Sequence, residues 1–283
     1  MKNISGKLAV VTGGSSGIGL ATAGRLAEEG ANVLILARRQ DQLTQAVAEI
    51  AKKKVSENQK ISAFSVDLSD LESVQKILTQ IQNDFGVPDI LVNSAGVSRP
   101  GLLIEQDFQI FREMMEINYF GSLYLTKSVL PGMIQRGSGH IVFISSVAGS
   151  AGIYGYAAYG ASKYAVVGLA DVLRVELKSH NINVSLVFPP DTNTPQLAGE
   201  EPYKPAITKA LSEAGASVIE PNLVADLIVK GIKQGKYLII PPGDTRLLYT
   251  LVSTVGLLRY KIMDFMLADA ARKVRKSEKK GES

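Results

Sequence analysis

Tyr159 and Lys163 stand four residues apart in Tyr159-Gly160-Ala161-Ser162-Lys163, at the start of a helical pattern. That spacing puts both side chains on one helix face. Ser145-Ser146 ends the strand before them, and Ser146 precedes Tyr159 by 13 residues across a Gly- and Ala-rich connection. Asn118 sits inside an otherwise apolar helix, where a buried amide demands partners.

These residue types suit reduction of a carbonyl. A hydride delivered to a ketone leaves an alkoxide that needs a proton. A free Tyr has a pKa of about 10, and a neighbouring ammonium stabilises the phenolate and lowers that value. The Lys163 ammonium also suits two ribose hydroxyls. The Ser146 hydroxyl can hold the carbonyl oxygen as charge builds on it, and a nicotinamide carries the hydride. Alone, a Tyr and a Lys at this spacing are a common pair on a solvated helix. Their meaning comes from what accompanies them.

What accompanies them begins with Thr12-Gly13-Gly14-Ser15-Ser16-Gly17-Ile18-Gly19, after the first strand and at the opening of the first helix. There Gly13 permits a tight turn, and Gly17 and Gly19 let the backbone approach a pyrophosphate. The helix N-terminus adds free N–H groups and a positive dipole end, and Ser15 and Ser16 add hydroxyls. The same letters fit the G-x-S-x-G elbow of hydrolases. That reading needs an upstream oxyanion loop and a His in reach, yet only twelve residues precede Gly13 and the chain has two His.

The second strand ends in Arg38-Arg39. An NAD site places an acid here for the ribose 2′-hydroxyl, whereas an Arg clamps a 2′-phosphate. Arg38 therefore favours NADP; the alternative is that two arginines open a solvated helix. Asp67 and Leu68, at the end of the third strand, are expected near the adenine. Asp67 could equally cap the next helix, with Asp70 competing for that role.

Composition bounds the rest. The 283 residues carry no Cys and two His, which excludes disulfides, a Cys nucleophile and Cys-ligated zinc; no metal site is expected. The net charge is +4. From Ala270 onward six basic residues face two acids, so the tail holds that charge and the remainder is neutral. This argues only weakly for nucleic acid, which is not an expected partner, and better for an anionic membrane surface. Lys2–Lys7 leads into a strand and not a signal peptide. The apolar run Leu247–Leu258 has 12 residues, short of the roughly 20 that cross a bilayer.

Apolar β-branched runs at Leu8–Val11, Val33–Ala37, Ile61–Val66, Ile90–Val92, His140–Ser145, Val184–Phe188 and Tyr237–Ile240 read as strands. Helical stretches lie between them at Leu20–Glu29, Gln42–Lys53, Leu71–Phe85 and Pro221–Lys233. This alternation predicts an α/β fold with a doubly wound parallel sheet and helices on both faces. Residues 1–243 read as one nucleotide-binding domain, and 244–283 as an apolar helical extension with the basic tail. About 189–215 reads as an irregular lid. His140 precedes a strand and His180 ends a long helix; both read as structural or solvated.

The set T-G-G-S-S-G-I-G, Asn93-Ser94-Ala95-Gly96, Asn118, Ser146, Tyr159 and Lys163 resembles the short-chain dehydrogenase/reductase superfamily from about Lys7 to Ile240. The resemblance implies a single-domain Rossmann fold with about seven parallel strands. It implies Tyr159 as proton donor, supported by Ser146 and Lys163, with Asn118 holding a water in a relay to Lys163. Asn93, Ala95 and Gly96 would shape the cofactor floor. Dimers or tetramers are also implied.

Phe188-Pro189-Pro190-Asp191-Thr192-Asn193-Thr194-Pro195 and Glu200-Glu201-Pro202-Tyr203-Lys204-Pro205 are similar to segments of the 3-ketodihydrosphingosine reductase family. That likeness implies NADPH-dependent reduction of 3-dehydrosphinganine, with Pro189, Thr192 and Thr194 flanking the nicotinamide. Ser94 departs from a frequent second Asn, and Gln42 from a frequent Lys near the 2′-phosphate. The membrane helix that eukaryotic members carry at the N-terminus has no counterpart here. The expectation is a cytoplasmic protein acting on a lipophilic ketone; the alternatives are another lipophilic carbonyl (a 3-oxoacyl thioester, a steroid or a retinoid) or a non-catalytic NADP-binding module, against which the intact Ser146, Tyr159 and Lys163 set argues. Its extension would be buried in the core, packed in a dimer interface, or laid on a cytoplasmic membrane face (the endoplasmic reticulum in a eukaryote).

Overall fold

The computed structural model describes residues 1–214, 217–243, 246, 247, 249, 250, 254 and 258–281. Its strands are β1 (Leu8–Thr12), β2 (Asn32–Ala37), β3 (Ile61–Ser65), β4 (Ile90–Asn93), β5 (Gly139–Ile144), β6 (Ile182–Val187) and β7 (Leu238–Ile239). They form one seven-stranded sheet in the order β3-β2-β1-β4-β5-β6-β7, parallel throughout. The expected Rossmann architecture is what the chain adopts.

Ten α-helices are described: α1 (Gly17–Glu28), α2 (Gln40–Ala51), α3 (Leu71–Phe85), α4 (Phe108–Met114), α5 (Gly121–Arg136), α6 (Ala157–Glu176), α7 (Pro195–Glu200), α8 (Ala206–Ala214), α9 (Pro221–Gln234) and α10 (Leu258–Gly281). The pleat divides the core. Val10, Leu34, Leu91, Ile141 and Phe143 point to one face, against Leu78 of α3, Val129 of α5 and Ala170 of α6. Ala9, Val11, Ile35, Val92 and Val142 point to the other, against Leu26 of α1, Leu43 of α2 and Ile228 of α9. A strand covered on both sides has no solvated face, which is why its sequence runs apolar without alternation.

Strand order reverses between β1 and β4. In such sheets the crevice beyond the carboxyl ends of the strands is the ligand site. The Gly13–Gly19 loop follows β1, Ser94-Ala95-Gly96 follows β4, Ser145-Ser146 follows β5 and Pro189 follows β6.

The segment expected to be irregular instead holds α7, α8 and a 3₁₀ turn at Glu201–Tyr203. Proline ends strands yet opens helices, since the first helical position has no use for its missing N–H. Pro195 stands there, and Thr194 caps the helix by accepting from the Leu197 N–H at 3.3 Å. His180 also differs from expectation: it lies on a 3₁₀ turn, Lys178–His180, beyond the end of α6. His140 lies within β5, fully buried.

The extension packs α10 against α8. Part of the apolar run 247–258 and the last two residues of the basic tail lie outside the described residues. Among the described residues no helix is long and apolar enough to cross a membrane.

Candidate active site

One cavity of about 670 Å³ opens along the carboxyl ends of β1, β4, β5 and β6. Gly13, Ser16, Gly17, Ile18, Gly19, Ala95, Gly96, Ser146, Tyr159, Lys163, Pro189, Thr192 and Thr194 all line it.

The phosphate-loop end has free donors. Ser16 is the N-cap of α1 but makes no side-chain cap bond, so the first-turn N–H groups remain available to an anion. Gly17 has φ +55°, and a Cβ there would meet Thr194 Cγ2 at 3.0 Å. Only glycine suits both the conformation and that approach. The lid strap thus seats directly on the loop. Behind it, the Thr12 hydroxyl accepts from Ser94 N–H at 3.0 Å and Ala95 N–H at 2.9 Å, fixing the loop after β4. These features fit a dinucleotide pyrophosphate.

Other expected cofactor residues stand outside this cavity. Arg38 is exposed at the end of β2, and Asp67 is exposed beyond β3. They lie beyond adjacent strand ends, on the same edge of the sheet as the loop. Asp67 accepts from Ser69 N–H and Oγ–H, while Asp70 caps α3 through Glu72 and Ser73. The capping role therefore falls to Asp70. Leu68 is buried in the core, and Ser15 is half-buried beside the loop. Asn93 is buried and donates to Thr126 Oγ1 at 3.1 Å.

At the reacting end, α6 presents Tyr159 and Lys163 one turn apart, as their spacing requires. The Lys163 ammonium donates to the Ile144 carbonyl at 3.0 Å and lies 5.6 Å from the Tyr159 ring centroid. Burial lowers its pKa to about 8. Ser146 caps a 3₁₀ turn by accepting from Ala148 N–H at 3.2 Å. Asn118 lies in a π-helical turn, Met115–Phe120, a form often found at functional sites. Its amide accepts from Val97 N–H at 2.8 Å and donates to Val97 O at 3.0 Å and Ser162 Oγ at 2.9 Å. Gly96 fits between Asn118 and Lys163: a Cβ there would stand 3.2 Å from Asn118 Oδ1 and 3.3 Å from Lys163 Nζ.

Tyr159 departs from the expected acidity. Its phenol is pushed up and not down, by burial first and by the Glu200 charge second, while hydrogen bonds with Ser146 and Gln196 pull the other way. Removing water from a phenolate outweighs what the ammonium offers. Tyr159 is therefore a protonated donor at neutral pH.

Residues not anticipated also line the cavity. From α7 come Gln196 and Glu200, from the loop before α6 comes Tyr156, and from the extension come Met263 and Leu267. Tyr156 donates to Glu200 Oε2 at 2.7 Å. Glu200 stands in the segment Glu200–Pro205 singled out above, but nothing there marks it as a site residue, and no motif announces the others. All but Tyr156 reach the site through the lid and the extension, whose positions follow from tertiary packing and not from spacing.

The family model described as short chain dehydrogenase matches residues 7–203. A 3-dehydrosphinganine reductase of Danio rerio is 42% identical over 235 residues, 83% of this chain and 70% of that protein. A 3-ketodihydrosphingosine reductase of Dictyostelium discoideum is 40% identical over 285 residues, 96% of this chain and 85% of that one. Among solved structures, L-sorbose reductase from Gluconobacter frateurii, complexed with NADPH and L-sorbose, superposes with a TM-score of 0.76. It is 26% identical and covers 86% of this chain and 98% of its own.

Proposed function

The chain belongs to the short-chain dehydrogenase family, and on that premise we propose that it reduces a long-chain 3-keto lipid, 3-dehydrosphinganine to sphinganine, with NADPH. The carrying observation is the convergence of Ser146, Tyr159 and Lys163 on one cavity whose outer wall is apolar, with Leu211, Met263, Met266 and Leu267. Relatives at 40–42% identity carry the names of that reaction, and the structural relative with NADPH supports the cofactor.

The Gly13–Gly19 loop, with Ser15 and Ser16, would hold the pyrophosphate, and Arg38 the 2′-phosphate. Asp67 and Leu68 would meet the adenine. Asn93, Ala95 and Gly96 would form the floor, and Pro189, Thr192 and Thr194 would flank the nicotinamide. When bound, NADPH supplies a hydride to the carbonyl carbon. Tyr159 gives its phenolic proton to the carbonyl oxygen as it becomes an alkoxide. Ser146 donates a hydrogen bond to the same oxygen and holds it in line. The Lys163 ammonium stabilises the phenolate that Tyr159 leaves, and would hold the ribose hydroxyls of the bound cofactor. Asn118, bonded to Val97 and Ser162, braces the loop after β4 against α6, and would hold the water of a relay to Lys163.

The extension serves the lipid. One face of α10 closes the cavity through Met263 and Leu267, while Leu258, Tyr260 and Phe265 stay exposed beside Arg272, Lys273, Arg275 and Lys276. Such a surface supports peripheral contact with an anionic membrane. Val172 and Val175 are exposed on α6, an apolar strip that supports a homo-oligomer.

The test is product analysis. Protein incubated with NADPH and 3-dehydrosphinganine should yield sphinganine by mass spectrometry. No product, or equal product from Tyr159→Phe, would contradict the proposal.

A further inference from the structure

Glu200 is a carboxylate that the reaction as derived does not use. It closes α7, is only 5% exposed and lines the same cavity as Tyr159. Its hydrogen-bond partners among the described residues are both neutral donors: Tyr156 Oη at 2.7 Å on Oε2, and Gln196 Nε2 at 3.1 Å on Oε1. A carboxylate offers about four lone-pair positions, so each oxygen retains one. Among the described residues no Lys, Arg or His forms an ion pair with it, whereas its neighbour Glu201 is paired with both Lys204 and Lys209.

Burying a carboxylate without a cation is costly. A cost of that kind in a ligand cavity is offset when the ligand brings the opposite charge. The cavity as a whole leans the same way. Asp191, Glu200 and Asp264 line it, against Lys163 as the one cation among its described lining residues, and Lys163 is turned toward the Ile144 carbonyl.

Position narrows the chemistry further. The Tyr156 ring, whose hydroxyl holds Glu200, lies 5.8 Å from the Tyr159 ring, centroid to centroid. The Glu200 charge is felt at the Tyr159 phenol. A cation held by Glu200 must therefore sit close to the carbonyl being reduced, not at the far end of a long chain.

We propose that Glu200, oriented by Tyr156 and Gln196, is the specificity residue that binds a protonated amine carried next to the reacting carbonyl. This rests on the reductase reading above and deepens it, because 3-dehydrosphinganine carries an amine on the carbon beside its ketone. Simple 3-keto lipids and 3-oxoacyl thioesters lack that charge and leave Glu200 buried without a counter-ion. The site thereby discriminates among long-chain ketones that are equally apolar.

The experiment has two arms on wild type, Glu200→Gln and Asp191→Asn. The first compares kcat/KM with NADPH for 3-dehydrosphinganine and for its counterpart lacking the amine. The second compares binding of sphinganine and octadecane-1,3-diol to the NADP⁺ complex by titration calorimetry, which needs no turnover. Wild type should prefer the amine at least tenfold in both arms, and Glu200→Gln, which keeps the shape but not the charge, should lose most of that preference. Taking a ratio within each variant cancels any general loss of activity. A preference that is absent in wild type, survives Glu200→Gln, or is lost only in Asp191→Asn overturns the proposal. If wild type turns over neither ketone, the reductase reading fails. The calorimetric preference and its loss in Glu200→Gln then still decide the role of Glu200.

Discussion

The Lys163 ammonium lies over the Tyr159 ring, 5.6 Å from its centroid, and is anchored to the end of β5 through the Ile144 carbonyl. One helical turn sets the pair, and one strand end orients it. The two groups titrate in opposite senses: burial raises the Tyr159 phenol and lowers Lys163 to about 8. Below that value Tyr159 is a loaded donor and Lys163 is charged. Above it, Lys163 loses its proton and can no longer stabilise the phenolate. The pH profile of kcat/KM for ketone reduction should therefore fall as pH rises through about 8. Lys163→Arg should move that fall upward, because guanidinium stays charged. A wild-type profile flat through this range would contradict the assignment.

Tyr159→Phe removes the proton and keeps the ring. Reduction should drop by roughly 10²–10⁴-fold, the usual worth of a positioned acid, with NADPH affinity nearly intact by fluorescence titration. Retention of most of the turnover would remove Tyr159 from the donor role.

Arg38 stands exposed at the end of β2. Charged hydrogen bonds contribute about 1.5–3 kcal/mol, so Arg38→Asp should shift the NADPH-to-NADH ratio of kcat/KM by roughly 10–100-fold toward NADH. An unchanged ratio would show that Arg38 is merely solvated.

His140 links stability to acid. Its Nε2 meets Ser185 Oγ at 2.7 Å, its Nδ1 finds no partner among the described residues, and burial lowers its pKa from 6.5 to about 3. Between those values the unfolded chain holds a proton that the folded chain refuses. Stability is therefore lost as pH falls below 6.5, by up to about 1.4 kcal/mol per pH unit from this residue. His140→Gln should flatten the fall of Tm over that window; an unaltered slope would assign the acid sensitivity elsewhere.

How much of this was legible in the sequence depended on whether local spacing or distant packing set each feature. The sheet was legible because strands buried on both faces must run apolar. The loop after β1 and the Tyr159–Lys163 turn were legible because glycine placement and i,i+4 geometry are local. The acidity of Tyr159 was not, because desolvation and the Glu200 charge come from parts remote in sequence. The helices of the lid were hidden by prolines that mark a break and a helix start alike. Nothing in the segment Glu200–Pro205 or in the extension marked Glu200 or Met263 for the site, since α7 and α10 reach the cavity through tertiary contacts.

The most direct test of the central claim is steady-state NADPH oxidation by the purified chain, with 3-dehydrosphinganine beside a short acetoacetyl thioester and NADH beside NADPH. Turnover of the long-chain amino ketone with NADPH is expected, and far less with either substitute. Turnover of the thioester alone, or equal use of the two cofactors, would contradict it.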